Sequence, residues 1–140
     1  MVSITFQPTT EDTILFVGGG EVAERRIQLF IDEPCNIVVI APTVTDRIRQ
    51  WAKDNRITWY DRAFTMDDEH HIITSSLFFI CTDNGELNDT LYDMGKKHRV
   101  WTNRSDDPRA CRFTVPSSLE LGDLHIAISA NNVCLLYTSD

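Results

Sequence analysis

The chain has 140 residues, of which 42% are hydrophobic and 24% are charged, so it is large enough for one globular domain with a real core. Its formal net charge of −8 argues against general nucleic-acid binding, which depends on basic surfaces. No run approaches the roughly 18 apolar residues of a membrane span, and the first residues lack the basic and apolar segments of a signal peptide, so neither a membrane nor export is expected.

The first half of the chain alternates between strand-like and helix-like patterns. The apolar run TILFV (13–17) predicts a strand that is buried on both faces. Three glycines follow it and open a stretch with apolar residues on one helical face. The β-branched run NIVVI (36–40) predicts a second strand. Residues 45–55 predict a second helix, with Thr45 as its N-cap.

The same alternation continues through the second half of the chain. Strand-like runs lie at 57–60, 76–81 and 100–103. An amphipathic pattern predicts a helix over 86–98, and a last strand is expected at 123–129, after a loop over 103–122. Strands and helices in regular succession favour parallel βαβ crossovers. We therefore predict one α/β domain of the Rossmann-like, doubly wound class, with a parallel sheet and helices on both faces.

The glycines form the pattern Gly18-x-Gly20-x-x-Ala23 between the first strand and the first helix. In a nucleotide-binding turn, the first glycine permits the tight turn and the second lets a pyrophosphate approach the backbone, while the small third residue lets helix and strand pack closely. The free amides and the dipole of the helix N-terminus favour the phosphate charge. The pattern predicts a dinucleotide site, and a tight strand-to-helix turn without a ligand is the alternative.

The end of the second predicted strand lacks one usual element of an NAD site. Such folds commonly have an Asp or Glu there for the ribose hydroxyls, whereas this chain has Ala41-Pro42-Thr43. The next acid, Asp46, falls inside the following helix. Backbone groups and the Thr43 hydroxyl could hold the dinucleotide instead, and this position does not decide between NAD and NADP.

Charge is unevenly distributed along the chain. Residues 96–112 contain six basic residues against Asp106 and Asp107, a local excess of four positive charges. In an acidic protein such a segment indicates an anionic small ligand, and a solvated turn with scattered charges is the alternative. The basic residues are Lys96, Lys97, Arg99, Arg104, Arg109 and Arg112.

The cysteines and histidines show no spacing typical of a metal site. No cysteine belongs to a CxxC motif, and scattered cysteines in or beside apolar runs are typical of reduced residues in a cytoplasmic protein. No carboxylate–histidine spacing recurs either, so we predict no resident metal ion. The residues concerned are Cys35, Cys81, Cys111, Cys134, His70, His71, His98 and His125.

Five stretches form an ordered set of motifs over most of the chain. They are VGGGEVAERR (17–26), VVIAPTV (38–44), FICTDNGELN (79–88), TNRSDDPRACRFTVPS (102–117) and GDLHIAIS (122–129). In this order they resemble the amino-terminal domain of siroheme synthase, which is the precorrin-2 dehydrogenase and often also a sirohydrochlorin ferrochelatase. The resemblance implies NAD-dependent oxidation of precorrin-2 to sirohydrochlorin, insertion of ferrous iron in some members, and a homodimer in the full-length family.

The resemblance also implies roles for individual residues. The cofactor-binding positions are Gly18, Gly19, Gly20, Glu21 and Val22 at the pyrophosphate, Pro42 and Thr43 on the adenosine side, and Thr82 and Asp83 toward the nicotinamide. Asp106 matches the catalytic aspartate, although Ser-Asp-Asp-Pro also suits a simple turn. Loss of a hydride and a proton needs a nicotinamide acceptor and a carboxylate within reach. Candidates for binding the substrate carboxylates are Asn103, Arg104, Arg109 and Arg112.

The end of the chain departs from the family. The family continues into a dimerising segment and a helical domain, whereas residues 134–140 read CLLYTSD, which a sequencing-library adapter can encode. We expect a dinucleotide-binding domain over 1–133, truncated before the dimerisation and helical regions, and a non-native tail over 134–140. Such a truncation would remove the dimer interface.

Two other functions remain open from the sequence. A non-catalytic nucleotide-sensing Rossmann module, of the type that regulates potassium transport, shares the glycine turn but usually keeps an acid at the second strand tip. Another small-substrate dehydrogenase normally has a larger substrate domain. Neither of these two proteins would oxidise the tetrapyrrole, so a measurement of its turnover distinguishes them from the function that the resemblance implies.

Overall fold

A parallel five-stranded sheet forms the centre of the computed structural model, which describes residues 1–129. Its strands are β1 (Thr13–Val17), β2 (Asn36–Ala41), β3 (Thr58–Asp61), β4 (Leu77–Ile80) and β5 (Trp101–Arg104). Their spatial order is β3-β2-β1-β4-β5, and every neighbouring pair is parallel. The predicted doubly wound α/β class is confirmed. The domain boundary predicted at residue 133 and the tail predicted over 134–140 lie outside the described residues.

Four helices cover the two faces of this sheet. They are α1 (Glu21–Gln28), α2 (Asp46–Lys53), α3 (Glu69–Ile73) and α4 (Gly85–Lys97). Successive residues of β1 point to opposite faces. Phe16 packs in a cluster with buried residues of α1 and α2, whereas Leu15 packs in a cluster with α3 and α4. Within residues 1–129, no helix is long and apolar enough to cross a membrane.

Aromatic rings pack the core between β1, β4 and α1. Phe16 and Phe79 stack with their ring centroids 4.9 Å apart, and the ring of Phe30 meets both at steep angles. Burying a side chain of this size stabilises the fold by roughly 2–3 kcal/mol. The unbroken apolar run of β1 therefore reflects packing on both of its faces.

Two helices begin at residues whose side chains cap them. The Thr45 hydroxyl accepts a hydrogen bond from the Ile48 amide at 3.2 Å, which confirms the predicted N-cap of α2. Asn84 caps α4 in the same way, because its Oδ1 accepts a hydrogen bond from the Leu87 amide at 3.1 Å. Each cap satisfies one amide that has no partner inside the helix.

The connection from β3 to β4 contains structure that the sequence pattern did not predict. A 3₁₀ turn over Met66–Asp68 leads directly into α3, which is too short to show a helical apolar repeat. Asp68 is buried, and its carboxylate accepts hydrogen bonds from the Arg62 guanidinium at 2.6 Å and from the Thr65 amide at 2.9 Å. The Arg62 contact is the largest reason that the pKa of Asp68 lies below its ordinary value.

Asp68→Ala is expected to lower the free energy of unfolding by about 2 kcal/mol at neutral pH, because it removes a buried, hydrogen-bonded carboxylate. A carboxyl group whose pKa is lower in the folded state stabilises the fold at pH values above its ordinary pKa of about 3.9. This contribution is lost as the pH falls through the pKa of the folded state. Urea unfolding at about pH 7 and about pH 3 should therefore show a smaller difference at acid pH. Asp67→Ala, at the exposed neighbour, is the control. Equal effects of Asp68→Ala at both pH values would contradict the ion pair.

The last part of the described chain differs in part from the prediction. The strand predicted at 123–129 is present as β7 (Leu124–Ile128), but it pairs antiparallel with β6 (Ser117–Leu121) in a hairpin separate from the main sheet. The loop predicted over 103–122 is therefore wrong where β6 lies. The sequence SSLEL has two apolar residues in five, which is too weak a pattern to predict a strand.

Candidate active site

The glycine turn after β1 packs against the loops that follow β2 and β4. Gly18 has a φ of +114°, which side chains rarely tolerate, and a Cβ there would lie 2.6 Å from the carbonyl carbon and oxygen of Cys81. A Cβ at Gly19 would lie 2.5 Å from the Thr43 carbonyl oxygen. Close backbone packing therefore requires both glycines, and it brings Thr43 next to the turn.

Gly20 has different surroundings, because a Cβ built there meets nothing within 4 Å. It is exposed and is the N-cap of α1, where it has no side chain with which to cap the helix amides. The amides of Glu21 and Val22 follow it at the start of the helix. Amide donors at the positive end of a helix dipole, facing open space, fit the diphosphate of a dinucleotide. The residues present therefore fit the predicted cofactor.

A surface pocket of about 400 Å³ lies beside the glycine turn. It is lined by Glu21, Glu24, Arg25 and Thr45. The Thr45 amide donates a hydrogen bond to the Gly19 carbonyl at 3.0 Å, which ties the start of α2 to the turn. Pro42 and Thr43 are exposed in the loop between β2 and α2. The loop after β2 supplies no acid, whereas α1 places two glutamates at this pocket.

The carboxyl ends of β1, β4 and β5 lie side by side at one edge of the sheet. The chain leaves β1 toward β2 on one side and later crosses to β4 on the other side. The crevice between β1 and β4 is therefore the topological switch point, where folds of this class bind ligands. Gly18 follows β1, Thr82 lies just after β4 and Asp106 lies just after β5. The structure thus brings these three predicted positions to one edge.

A buried asparagine links the ends of β4 and β5. Asn88 of α4 is 1% exposed. Its Nδ2 donates hydrogen bonds to the Thr82 carbonyl oxygen at 2.9 Å and to Asp106 Oδ2 at 3.0 Å, while its Oδ1 accepts one from the Thr82 hydroxyl. Asp83, beside Thr82, is exposed. Sequence reasoning missed Asn88, and the available signal was a polar residue three positions before Leu91, on the buried side of α4.

The Asp106 carboxylate is held by the guanidinium of Arg104, the last residue of the preceding strand β5. Arg104 Nε donates to Oδ1 at 2.8 Å, and Arg104 Nη2 donates to Oδ2 at 3.0 Å. These contacts first, and the hydrogen bond from Asn88 after them, lower the pKa of Asp106 to about 2. The side chain is 35% exposed. Asp106 is therefore an ionised carboxylate at neutral pH that a ligand can reach.

Arg104 was predicted to bind substrate, but the structure surrounds it with carboxylates of the chain itself. Its side chain is 10% exposed, and its Nη1 donates to Asp89 Oδ1 at 3.0 Å in addition to the two bonds to Asp106. These hydrogen bonds raise the pKa of Arg104 above its ordinary value. The ring of Tyr92 lies 5.6 Å from the guanidinium carbon. This position makes Arg104 the partner of Asp106.

Two other predicted substrate-binding residues also make contacts within the chain. Asn103 is buried, and its Nδ2 donates a hydrogen bond to the Phe113 carbonyl oxygen at 2.9 Å. The Arg112 guanidinium lies over the ring of Trp101 at 5.9 Å. Trp101 begins β5, whereas Asp106 follows the end of that strand. The structure therefore does not bring Arg112 and Asp106 together.

Arg109 is a predicted substrate-binding residue whose side chain is open to solvent and lies close to Asp106 in the sequence. That side chain is 85% exposed, and its Nε lies 3.6 Å from Asp107 Oδ1. The positive charge of Arg104 is already balanced by two aspartates. Asp89, which lies outside the basic segment, therefore compensates one of its four excess positive charges. Arg109 is an exposed guanidinium three residues from Asp106.

Several cysteines and histidines of the described chain take part in packing and hydrogen bonding. Burial raises the pKa of Cys81 to about 12, and the Cys111 thiol lies 3.3 Å from backbone atoms at the end of β5. His98 Nε2 lies 2.7 Å from the Glu69 carboxylate. Within residues 1–129, no group of three His, Cys, Asp or Glu side chains could hold a metal ion. Cys134 lies outside this range.

The fold and this edge define a dinucleotide-binding α/β domain. Its features are a glycine turn at the topological switch point, open space in front of Gly20, and an ionised carboxylate after a neighbouring strand. The comparisons with known proteins agree with this class. Residues 6–117 match the family described as "Putative NAD(P)-binding".

The chain belongs to this family, and it is similar to part of the siroheme synthases. It is 30% identical to the siroheme synthase of Pseudoalteromonas atlantica over 128 residues, which are 91% of this chain and 27% of that protein. It is 33% identical to siroheme synthase 2 of Pectobacterium atrosepticum over 116 residues, which are 83% of this chain and 25% of that protein. The chain thus spans about a quarter of the length of these relatives.

A solved structure shares the fold. It is "SirC, precorrin-2 dehydrogenase", which superposes with a TM-score of 0.84 at 24% sequence identity. The alignment covers 99% of this chain and 66% of that one. At this identity the likeness establishes the architecture, and the chemistry has to be argued from the site.

Proposed function

We propose that this chain oxidises precorrin-2 to sirohydrochlorin with NAD as the hydride acceptor. The observation that carries the proposal is the hydrogen-bonded link from Thr82 to Asp106, which sets an ionised carboxylate at the same sheet edge as the glycine turn. The names of the matched proteins, siroheme synthase and precorrin-2 dehydrogenase, support the substrate class.

The reaction removes a hydride and a proton from a reduced tetrapyrrole. When bound, the nicotinamide supplies the hydride acceptor. Loss of the hydride leaves positive charge on the substrate, which the ionised Asp106 carboxylate stabilises. A group with a pKa of about 2 is a weak base, but the substrate cation is a strong acid. Oδ1 of Asp106 accepts one hydrogen bond whereas Oδ2 accepts two, so Oδ1 can receive the proton of this cation and release it to water.

The remaining site residues bind and orient in this proposal. Gly18 and Gly19 shape the turn, while the amides of Gly20, Glu21 and Val22 bind the diphosphate. Pro42 and Thr43 would contact the adenosine half of the bound cofactor, and Thr82 and Asp83 would contact its nicotinamide half. Arg104 holds the Asp106 carboxylate, and Asn103 holds the following loop through Phe113.

Arg109→Ala is expected to raise the KM for precorrin-2 about three- to fivefold and to change kcat by less than about twofold, because one exposed guanidinium adds one charge-assisted contact to a substrate carboxylate. Steady-state kinetics measures both constants. The control is Arg56→Ala. Arg56 donates a hydrogen bond to Asp32 at 2.6 Å and lies just before β3, at the opposite edge of the sheet. A KM for Arg109→Ala equal to that of the wild type would show that Arg109 does not bind substrate.

The absorbance of reduced nicotinamide tests the proposal directly. The 140-residue chain is mixed with precorrin-2 and NAD, and the proposal expects reduction that depends on both. A nucleotide-sensing module would bind NAD without turnover, and a dehydrogenase for another substrate would leave the tetrapyrrole unchanged. Either outcome overturns the proposal. A parallel series with NADP tests the coenzyme, because the pocket beside the glycine turn has two glutamates against one arginine, a net negative charge that should repel the additional phosphate.

Ferrous iron is a further substrate in this proposal. Inserting a metal ion into a tetrapyrrole releases pyrrole protons, and the Asp106 carboxylate is exposed in the site to accept them. Iron would then be delivered transiently rather than bound at a resident site. Anaerobic addition of ferrous iron to sirohydrochlorin, followed by the absorbance of sirohaem, tests this step apart from the dehydrogenation.

We also propose that the hairpin of β6 and β7, which precedes the expected truncation, contacts a second copy of the chain, so that part of a dimer interface would remain. A two-stranded hairpin is marginally stable alone, and association would remove its apolar side chains from water. Its exposed apolar residues are Leu119, Leu121, Leu124, Ile126 and Ile128. Sedimentation velocity tests this contact, and a monomer at all concentrations would contradict it.

A cytoplasmic location stays a prediction, supported by the free thiols of Cys35, Cys81 and Cys111.

A further inference from the structure

The amide of Asn88 is fixed in one orientation by its partners. The Thr82 hydroxyl donates to Oδ1, so Nδ2 faces the Thr82 carbonyl oxygen at 2.9 Å and Asp106 Oδ2 at 3.0 Å. A carbonyl oxygen and a carboxylate can accept hydrogen bonds but cannot donate them. Exchanging the two amide atoms would therefore break both contacts. Every polar atom of this buried side chain is used within the site.

The contacts on Asp106 come from two different parts of the fold. Arg104 lies two residues before Asp106, so its guanidinium orients the carboxylate relative to β5. Asn88 belongs to α4 and is bonded to Thr82, just after β4, so its hydrogen bond fixes the carboxylate relative to β4. Asp89, the next residue of α4, also holds Arg104. Helix α4 thus supports both members of the Arg104–Asp106 pair.

We propose that Asn88 is a positioning residue that holds the Asp106 carboxylate at a fixed distance from the end of β4. The inference rests on the proposed function, in which the nicotinamide half of the cofactor lies beside Thr82. The hydride acceptor and the carboxylate must reach the same substrate molecule. A displacement of about 1 Å between such groups can reduce a rate about a hundredfold. Asn88 acts through Asp106 and does not itself contact the reacting atoms.

The first test compares Asn88→Ala and Asn88→Asp with Leu91→Ala. Asn88→Asp keeps the size of the side chain, and in its ionised form it cannot donate to Asp106. Leu91 is fully buried in the same helix and packs in the apolar cluster, so truncating it destabilises α4 without removing a site contact. All three variants are made in the full 140-residue chain.

Both Asn88 variants are expected to lower kcat at least about tenfold, while the Kd for NAD changes by less than about twofold. Leu91→Ala is expected to melt at a lower temperature and to keep kcat within about twofold of the wild type where it is folded. A wild-type kcat in Asn88→Asp overturns the inference. A loss of kcat in folded Leu91→Ala equal to that of Asn88→Ala also overturns it, because the effect would then be one of helix stability.

A second readout does not depend on turnover. Carbon NMR of the Asp106 carboxyl group follows its titration in each chain. Removing the hydrogen bond from Asn88 is expected to raise the pKa of Asp106, and Asn88→Asp should raise it further because a second carboxylate lies beside it. Leu91→Ala should keep the wild-type value. If the wild type fails to oxidise precorrin-2 but these shifts appear, the proposed function fails and the positioning role stands. Identical titrations in all four chains overturn the role.

Discussion

Asp106→Ala is expected to slow precorrin-2 oxidation at least about a hundredfold while the Kd for NAD changes by less than about twofold. The carboxylate is the ionised, solvent-accessible group that the site offers to a substrate cation, with a pKa of about 2 and a side chain that is 35% exposed. Cofactor binding should persist, because the diphosphate is expected to contact the backbone at Gly20 and not this side chain. Single-turnover absorbance and a fluorescence titration with NAD measure the two effects.

The matched control for this experiment is Asp107→Ala. Asp107 is the adjacent acid, but its Oδ1 accepts a hydrogen bond from the Arg109 amide at 3.1 Å and does not face Arg104. We expect this variant to keep its rate within about threefold of the wild type. A wild-type rate in Asp106→Ala, or an equal loss in Asp107→Ala, would show that the catalytic assignment is wrong. Thermal melting checks folding, since Arg104 keeps its contact with Asp89 in both variants.

The sheet and the glycine turn could be predicted from the sequence because their signals are local. Strands buried on both faces need unbroken apolar runs, and β1 spans Thr13–Val17 as predicted, while β2 ends one residue later than predicted. The crowding of Gly18 against Cys81 excludes any side chain at that position. The apolar run and the glycine that follows it can therefore be recognised in one short stretch of sequence.

The hydrogen bonds of the site could not be predicted, because they join residues that are far apart in the sequence. Asn88 and Asp106 are 18 positions apart, and Arg104 and Asp89 are 15 positions apart. Charge alone made Arg104 a substrate-binding candidate, since composition does not reveal which carboxylates a guanidinium faces. The fold places Asp89 and Asp106 against it. Similarly, α3 has fewer than two helical turns, and β6 has two apolar residues in five, so neither shows a pattern that the sequence alone reveals.

Gly18→Ala is expected to lower the free energy of unfolding by about 3–5 kcal/mol. The backbone conformation at φ +114° is strained for any residue with a Cβ, and that atom would lie 2.6 Å from the Cys81 carbonyl group. Relief of the clash requires β1 and β4 to move apart at the edge where the cofactor is expected to bind. Urea unfolding measures the loss of stability, and we expect weaker NAD binding to accompany it.

Gly20→Ala is the matched variant, and its expected effects are reversed. Gly20 has a φ of −84°, and a Cβ there meets nothing within 4 Å, so the free energy of unfolding should change by less than about 1 kcal/mol. The added methyl group would occupy the space into which the diphosphate has to fit, so we expect the Kd for NAD to rise at least about tenfold. Calorimetric titration of a variant with wild-type stability then isolates binding from folding. If Gly20→Ala binds NAD as tightly as the wild type, the diphosphate does not lie against this turn, and the proposed arrangement of cofactor and Asp106 is wrong.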